Sequence, residues 1–313
     1  HATLGSDTGG SIRQPAAFCG TIGLKPSYGR VSRYGLIAFG SSFDQIGPIT
    51  SNVEDAALIT EVIAGRDEHD GTASSKPVPS YKDAIDRVGN QTWEIAYLVD
   101  CINSESLDPE IKEGIHSLLD EMESNHLIIG QQAELAYLDQ MIPAYQILSN
   151  AEASSNLARY DGILFGYRSP DAENLEETVV KSRSEGFGEE VKRRIMLGTF
   201  VLSEGYYEAY YSKAQKIRRL VKESLDELLK DNDFILLPAT PGTAFKFGEK
   251  ADLTSMYWED IFTIPASLGG FPAITIPIGQ HNNGMPYSVQ LIGRNFEEEK
   301  LLAFSQRLFN RIS

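Results

Sequence analysis

The sequence predicts an α/β protein, because apolar stretches of strand length alternate with segments of helical periodicity. EIAYLVD, residues 94–100, is an apolar run of strand length. Behind it, Asp108 and Pro109 form a helix start, followed by Ile111, Ile115, Leu118, Leu119 and Met122 on one helical face. FILLPATP, from Phe234, is a second buried strand. It follows a stretch, residues 204–231, in which Tyr207, Tyr211, Ala214, Ile217, Val221, Leu225 and Leu228 recur at three- and four-residue steps, the pattern of one long amphipathic helix. AITIPIG and YSVQLIG flank Asn283-Gly284 and are expected to pair as a hairpin before a last helix over residues 297–312.

The remaining elements follow from local signals. Residues 36–50, LIAFGSSFDQIGPIT, mix short apolar runs with Gly, Ser and Pro, as loops and brief strands beside a site do. Ser51-Asn52-Val53-Glu54 is a capping-box pattern; Ala57, Leu58, Val62 and Ile63 follow at helical spacing, and Gly65 supplies a stop. Residues 66–89 are polar and read as an exposed connection. With 313 residues and no internal repeat, the chain is expected to form one domain with a substantial core.

Composition narrows the functional classes. There are 28 Lys and Arg against 44 Asp and Glu, a formal charge of -16, so the field of the whole molecule repels nucleic-acid backbones. No apolar run approaches the length of a membrane span, so no membrane association is expected. Cys19 and Cys101 are far apart, and the five histidines show no metal-binding spacing. A zinc site is not expected, and reduced thiols suit a cytoplasmic protein.

The densest local signal is GSDTGGSIR, running from Gly5 to Arg13, with three glycines and three hydroxyl side chains in nine residues. A phosphate loop would need a lysine after its last glycine, where Ser11 and Ile12 stand, and neither G-x-G-x-x-G nor G-x-S-x-G fits. Composition alone favours an ordinary Ser/Gly turn. The chemical reading is that backbone N–H groups of small residues converge on one point beside a hydroxyl able to attack a carbonyl.

GSDTGGSIRQPAAFCGTIGLKPSYGRVSRYGL resembles the glycine- and serine-rich signature of the amidase signature family, including G-x-K-P-x-x-G-R as Gly23, Lys25, Pro26, Gly29 and Arg30. EASSNLARYDG, EEVKRRIMLGTFVLSEGYY and MPYSVQLIG extend the likeness to the branch of A subunits of glutamyl-tRNA(Gln) amidotransferases. The resemblance implies a mixed central sheet sandwiched by helices. It also implies that Ser11 is the nucleophile and that the N–H groups of Thr8, Gly9 and Gly10 form the oxyanion hole. Arg194, with Arg193 as the neighbouring alternative, would hold the carboxylate of glutamine and Asp260 its ammonium, while Tyr145 would either line the pocket or be an ordinary core tyrosine.

The implied reaction is hydrolysis of glutamine through a serine ester. The ammonia passes to a B subunit that activates Glu-tRNA(Gln) with ATP and Mg, accompanied by a small C subunit, so this chain needs no cofactor of its own. The family's second serine and its catalytic lysine precede this loop and have no matching positions here. The chain is therefore expected to be an N-terminally truncated form of the fold and catalytically incomplete alone. Two other readings stand beside it: a stand-alone amidase of the same family, and a non-catalytic remnant that binds partners.

Overall fold

A computed structural model describes residues 2–249 and 253–312. Among these, eight strands form one sheet: β1 (Ala2–Asp7), β2 (Ile22–Lys25), β3 (Gln45–Thr50), β4 (Trp93–Leu98), β5 (Ile128–Ala133), β6 (Phe234–Pro238), β7 (Ala273–Gln280) and β8 (Pro286–Ile292). Their order is β1-β3-β2-β7-β8-β6-β4-β5. The β4–β6 and β4–β5 pairs are parallel and the others antiparallel, which makes the sheet mixed. FILLP forms β6, buried at every position between β8 and β4, as a strand covered on both faces must be.

The helix Pro109–Ser124 begins as its sequence predicts. The Asp108 carboxylate accepts from the N–H groups of Glu110 and Ile111, Pro109 occupies the first turn, and Ile111, Ile115, Leu118, Leu119 and Met122 are its buried residues. The β7–β8 hairpin is also as expected, with Gly284 at φ +83° in its connection, a conformation that suits glycine. Trp93, Phe234 and Phe304 pack ring against ring at 5.1 to 5.8 Å and join β4 and β6 to the last helix, Glu298–Ile312. That helix also packs against Val53–Ile63 and Tyr81–Arg87.

Three local expectations need correction. The helix Val53–Ile63 is capped by Asn52, whose side chain accepts from the Asp55 N–H, not by Ser51. Its buried residues are Val53, Ala56, Ala57 and Thr60, whereas Leu58 and Val62 are 43% and 83% exposed. The buried face is thus made mostly of small residues, and these larger apolar side chains point away from it. Residues 66–89 hold a helix, Tyr81–Arg87, because the Ser80 side chain caps it and Tyr81 is buried. Residues 204–231 are not one α-helix: a π-helical turn, Tyr207–Ser212, precedes the α-helix Lys213–Asp231, and the rings of Tyr206 and Tyr210 gather on Phe200 at 4.2 and 6.0 Å. Leu229 joins its fully buried face, with Leu228 only partly buried.

The sheet positions the signature loop. β1 ends at Asp7, the chain turns through residues 8–12, and the helix Arg13–Cys19 carries it back against β2, β7 and β8. The short helix Ile264–Gly269 and the turn before it face the loop through hydrogen bonds from Arg13 and Thr263.

Candidate active site

Ser11 is exposed, and its hydroxyl makes no hydrogen bond among the described residues. The N–H groups of Thr8, Gly9, Gly10 and Ser11 likewise have no acceptor there, although Gly9 and Gly10 are buried. Buried main-chain donors are nearly always paired, so a run of free ones beside a free hydroxyl marks a place prepared for an oxygen that arrives with a ligand.

The loop is held open from its ends. Asp7 and Arg13 are both wholly buried and form a double contact, with Nε to Oδ2 and Nη2 to Oδ1 each at 3.0 Å. Arg13 then spends its remaining donors on the Thr263 carbonyl at 2.7 Å, Gln290 Oε1 at 2.6 Å and Ser267 Oγ at 2.9 Å. Asp7 Oδ2 also accepts from the Ile12 N–H at 3.2 Å. Burial acts to raise the Asp7 carboxyl, but the Arg13 charge and its hydrogen bonds, with Lys25 and the Ile12 N–H, outweigh it and hold the group below the usual carboxylate range. A buried pair this fully satisfied fixes geometry, and removing either partner strands the other charge.

The middle of the loop is fixed from three sides. Thr8 Oγ1 donates to Asp44 Oδ1 at 2.6 Å, and the other oxygen of Asp44 accepts from the N–H groups of Phe39 and Gly40. A Cβ on Gly9 would lie 2.5 Å from the Tyr145 hydroxyl oxygen, so glycine is what lets that tyrosine lie against the main chain. Gly10 has φ +144°, and a Cβ there would stand 2.3 Å from Thr263 Oγ1. Both glycines are therefore set by close approach.

Tyr145, Asp260 and Arg194 stand around this loop. Tyr145 is 7% exposed, and its hydroxyl makes no hydrogen bond among the described residues, so it is not a core tyrosine with a satisfied hydroxyl. Burial, then the charges of Asp260 and Asp7, raise its pKa. Asp260 accepts from Gln14 Nε2 at 2.8 Å. Burial, followed by the nearby Asp7 charge, pushes its carboxyl up to about 7, with Arg13 and Arg194 acting in the opposite sense. Arg194 spends Nε on Glu190 at 2.8 Å and lies over the Phe39 ring at 5.4 Å, which leaves its terminal nitrogens without a hydrogen-bond partner among the described residues. Arg193 is committed elsewhere, to Glu190 and to the Tyr257 hydroxyl at 2.6 Å. The structure thus gathers a cation with free donors, an acid and a tyrosine around the free N–H groups. Among the described residues no His, Cys, Asp and Glu group could hold a metal ion.

Sequence reasoning missed Asp7, Arg13, Gln14, Asp44 and Thr263. Asp7 and Arg13 lie inside the quoted loop, but charged residues ordinarily read as solvated. Their signal was position: an acid and an arginine bracketing a run of small residues.

The second half of the signature packs quite differently. Lys25 is buried, its Nζ donating to the carbonyls of Phe271 and Pro26, and burial followed by the Arg13 charge pushes it down to about 7. Arg30 and Glu298 form a buried pair at 3.1 Å, and Glu298 also accepts from the Ser27 N–H. A Cβ on Gly23 would meet that of Ala16 at 2.6 Å, and one on Gly29, at φ +80°, the Thr72 carbonyl at 2.5 Å.

The serine loop lies at the end of β1 in this mixed sheet, and comparison with known proteins gives the family. The Amidase family matches residues 1–302, and the chain belongs to that family. The A subunit of glutamyl-tRNA(Gln) amidotransferase from Brevibacillus brevis is 50% identical over 305 residues, which are 96% of this chain and 61% of that protein. The protein of the same name from Oceanobacillus iheyensis is 52% identical over 297 residues, 95% of this chain and 60% of its own length. The crystal structure of the corresponding protein from Thermotoga maritima superposes with a TM-score of 0.78 at 43% identity, over 97% of this chain and 61% of the other. This chain therefore spans about 61% of the length of such relatives.

Proposed function

We propose that this chain carries the glutamine-hydrolysing site of a glutamyl-tRNA(Gln) amidotransferase, in its A subunit. The observation that carries the reading is the run of unpaired N–H groups from Thr8 to Ser11 beside an unpaired, exposed hydroxyl. Ser11 Oγ attacks the side-chain carboxamide carbon of glutamine. The oxygen that gains charge is met by main-chain N–H groups of Thr8, Gly9 and Gly10, and each such donor is worth about 10²–10³ in rate. Ammonia leaves, and water then hydrolyses the glutamyl ester on Ser11.

Arg194 and Asp260 supply the two charges that glutamine requires. The free terminal nitrogens of Arg194 suit the α-carboxylate, and this favours it over Arg193, which is already bound to Glu190 and Tyr257. Asp260 suits the α-ammonium, whose charge draws the carboxyl toward ionisation once bound. Tyr145 closes the pocket against Gly9. Lys25 is not the base, since its ammonium faces two carbonyls. The base is assigned to the second serine and the lysine that the family resemblance places ahead of the loop, outside the described residues.

Ammonia is handed to a B subunit that uses ATP and Mg on Glu-tRNA(Gln), with a C subunit completing the complex in the cytoplasm. The net charge of -16 accords with the tRNA being held by the partner. The purified 313-residue polypeptide is expected to release no more ammonia from glutamine than its Ser11→Ala variant. Release that Ser11→Ala abolishes would place the base within this chain. In the native protein, glutamine should be turned over in preference to propionamide; equal rates would remove Arg194 and Asp260 from the account.

A further inference from the structure

We propose that Thr263 is a positioning residue that sets the direction of the oxyanion-hole peptide and ties it to the turn carrying Asp260; this rests on Ser11 being the nucleophile. Thr263 is wholly buried. It precedes the helix Ile264–Gly269 as its N-cap, where a threonine ordinarily accepts from an N–H of its own helix. Here it makes no such cap, and Pro265 lacks the N–H that one such bond would use. Its hydroxyl instead lies within hydrogen-bond distance of two carbonyls, that of Gly9 at 2.7 Å and that of Asp260 at 3.0 Å, and the shorter bond is the one to Gly9.

The consequence follows from peptide geometry. In a trans peptide the carbonyl of one residue and the N–H of the next point in opposite directions. Holding the Gly9 carbonyl toward Thr263 therefore turns the Gly10 N–H away from Thr263, and that N–H has no other acceptor among the described residues. Gly10, at φ +144°, has no side chain to resist a flip of this peptide. Without the Thr263 bond the peptide has two orientations, and only one presents its N–H to a developing oxyanion.

The hold is reciprocal. Arg13, from the far end of the loop, donates to the Thr263 carbonyl at 2.7 Å, while the Thr263 side chain holds Gly9. Gln14, the next residue along, donates to the Asp260 carboxylate at 2.8 Å and to the Glu259 carbonyl at 3.1 Å. Loop and turn are thus crossed by hydrogen bonds in both directions, so the atom that would hold the substrate ammonium and the peptide that would meet its carboxamide oxygen keep a fixed separation.

The test is Thr263→Val in the native protein, which keeps shape and removes the hydroxyl, beside Thr263→Ser, which keeps the hydroxyl. Two rates are read: glutamine turnover, and covalent labelling of Ser11 by a fluorophosphonate, whose phosphoryl oxygen occupies the same hole without needing Arg194 or Asp260. Thr263→Val is expected to lower kcat and the labelling rate together, by about 10- to 100-fold, with the KM for glutamine within about threefold of wild type. Thr263→Ser should restore both rates to within about threefold. Unchanged rates in Thr263→Val, or a raised KM with kcat and labelling intact, would overturn the proposal. If Thr263→Val does not fold, Thr263→Ala removes the same bond, and a Thr263→Ser variant as slow as Thr263→Ala also overturns it. Wild-type labelling that survives Ser11→Ala would instead overturn the assignment of Ser11 as nucleophile.

Discussion

The two halves of the signature look alike in sequence, each a run of glycine, serine and basic residues, yet they differ in what their polar groups face. From Thr8 to Ser11 the N–H groups and the serine hydroxyl are left unpaired, and the charges that hold them, Asp7 and Arg13, lie behind. From Gly23 to Arg30 the charged groups are engaged: Lys25 with carbonyls, Arg30 and Ser27 with Glu298, and the glycines with close neighbours. The first half leaves its donors open, as the proposed site requires, and the second fastens the segment after β2 to the last helix. The difference teaches that a glycine-rich signature can mix chemistry and carpentry, and that pairing of the main chain separates them.

Substitutions in the two halves should therefore separate activity from stability. The largest effect belongs to Ser11→Ala in the native protein: glutaminase activity should fall about 10⁴-fold or more, while the melting temperature, followed by circular dichroism, stays near wild type because an exposed, unpaired hydroxyl is lost. A large loss of stability would place Ser11 with the structural half. Glu298→Ala should do the reverse. It leaves Arg30 buried and unpaired and should cost about 3–5 kcal/mol in denaturant unfolding, with kcat per folded molecule unchanged.

Asp260 gives the third and smallest effect, and it sharpens the contrast through pH. Its carboxyl stands at about 7 in the fold against 3.8 for an unperturbed aspartate, so the folded protein keeps this proton while the unfolded chain has released it. Stability from this group is thus present at low pH and declines as pH rises from about 4 to 7. Asp260→Asn should raise the melting temperature at pH 8 and leave it unchanged near pH 3. The same substitution should raise the KM for glutamine about tenfold or more, and abolish the fall in KM expected of the wild type as pH rises through 7. Equal pH profiles for the two proteins would take Asp260 out of the substrate pocket.

Much of the fold was legible where one signal was enough. The helix Pro109–Ser124 had a proline start, an aspartate cap and one continuous apolar face, and strand β6 was an unbroken apolar run. Leu58 and Val62 misled because periodicity shows that a face exists but not which one the neighbours select; here Val53, the two alanines and Thr60 are the buried residues. The π-helical turn Tyr207–Ser212 was invisible because its tyrosines also fit an α-helical repeat. In the site, Ser11 and its glycines were legible through the family signature. Asp7 with Arg13, and Thr263 with Gly9, were not, because each takes its meaning from burial and from partners up to 277 positions away.

The central claim is that the Ser11 oxygen becomes the ester oxygen of a glutamyl intermediate inside a cradle of main-chain N–H groups. Acid-quenching the native protein during turnover of isotope-labelled glutamine, followed by mass spectrometry of its peptides, tests this most directly. The account predicts a labelled glutamyl ester on the peptide containing Ser11, absent from Ser11→Ala. Ammonia released with no such ester, or an ester on another residue, would contradict it.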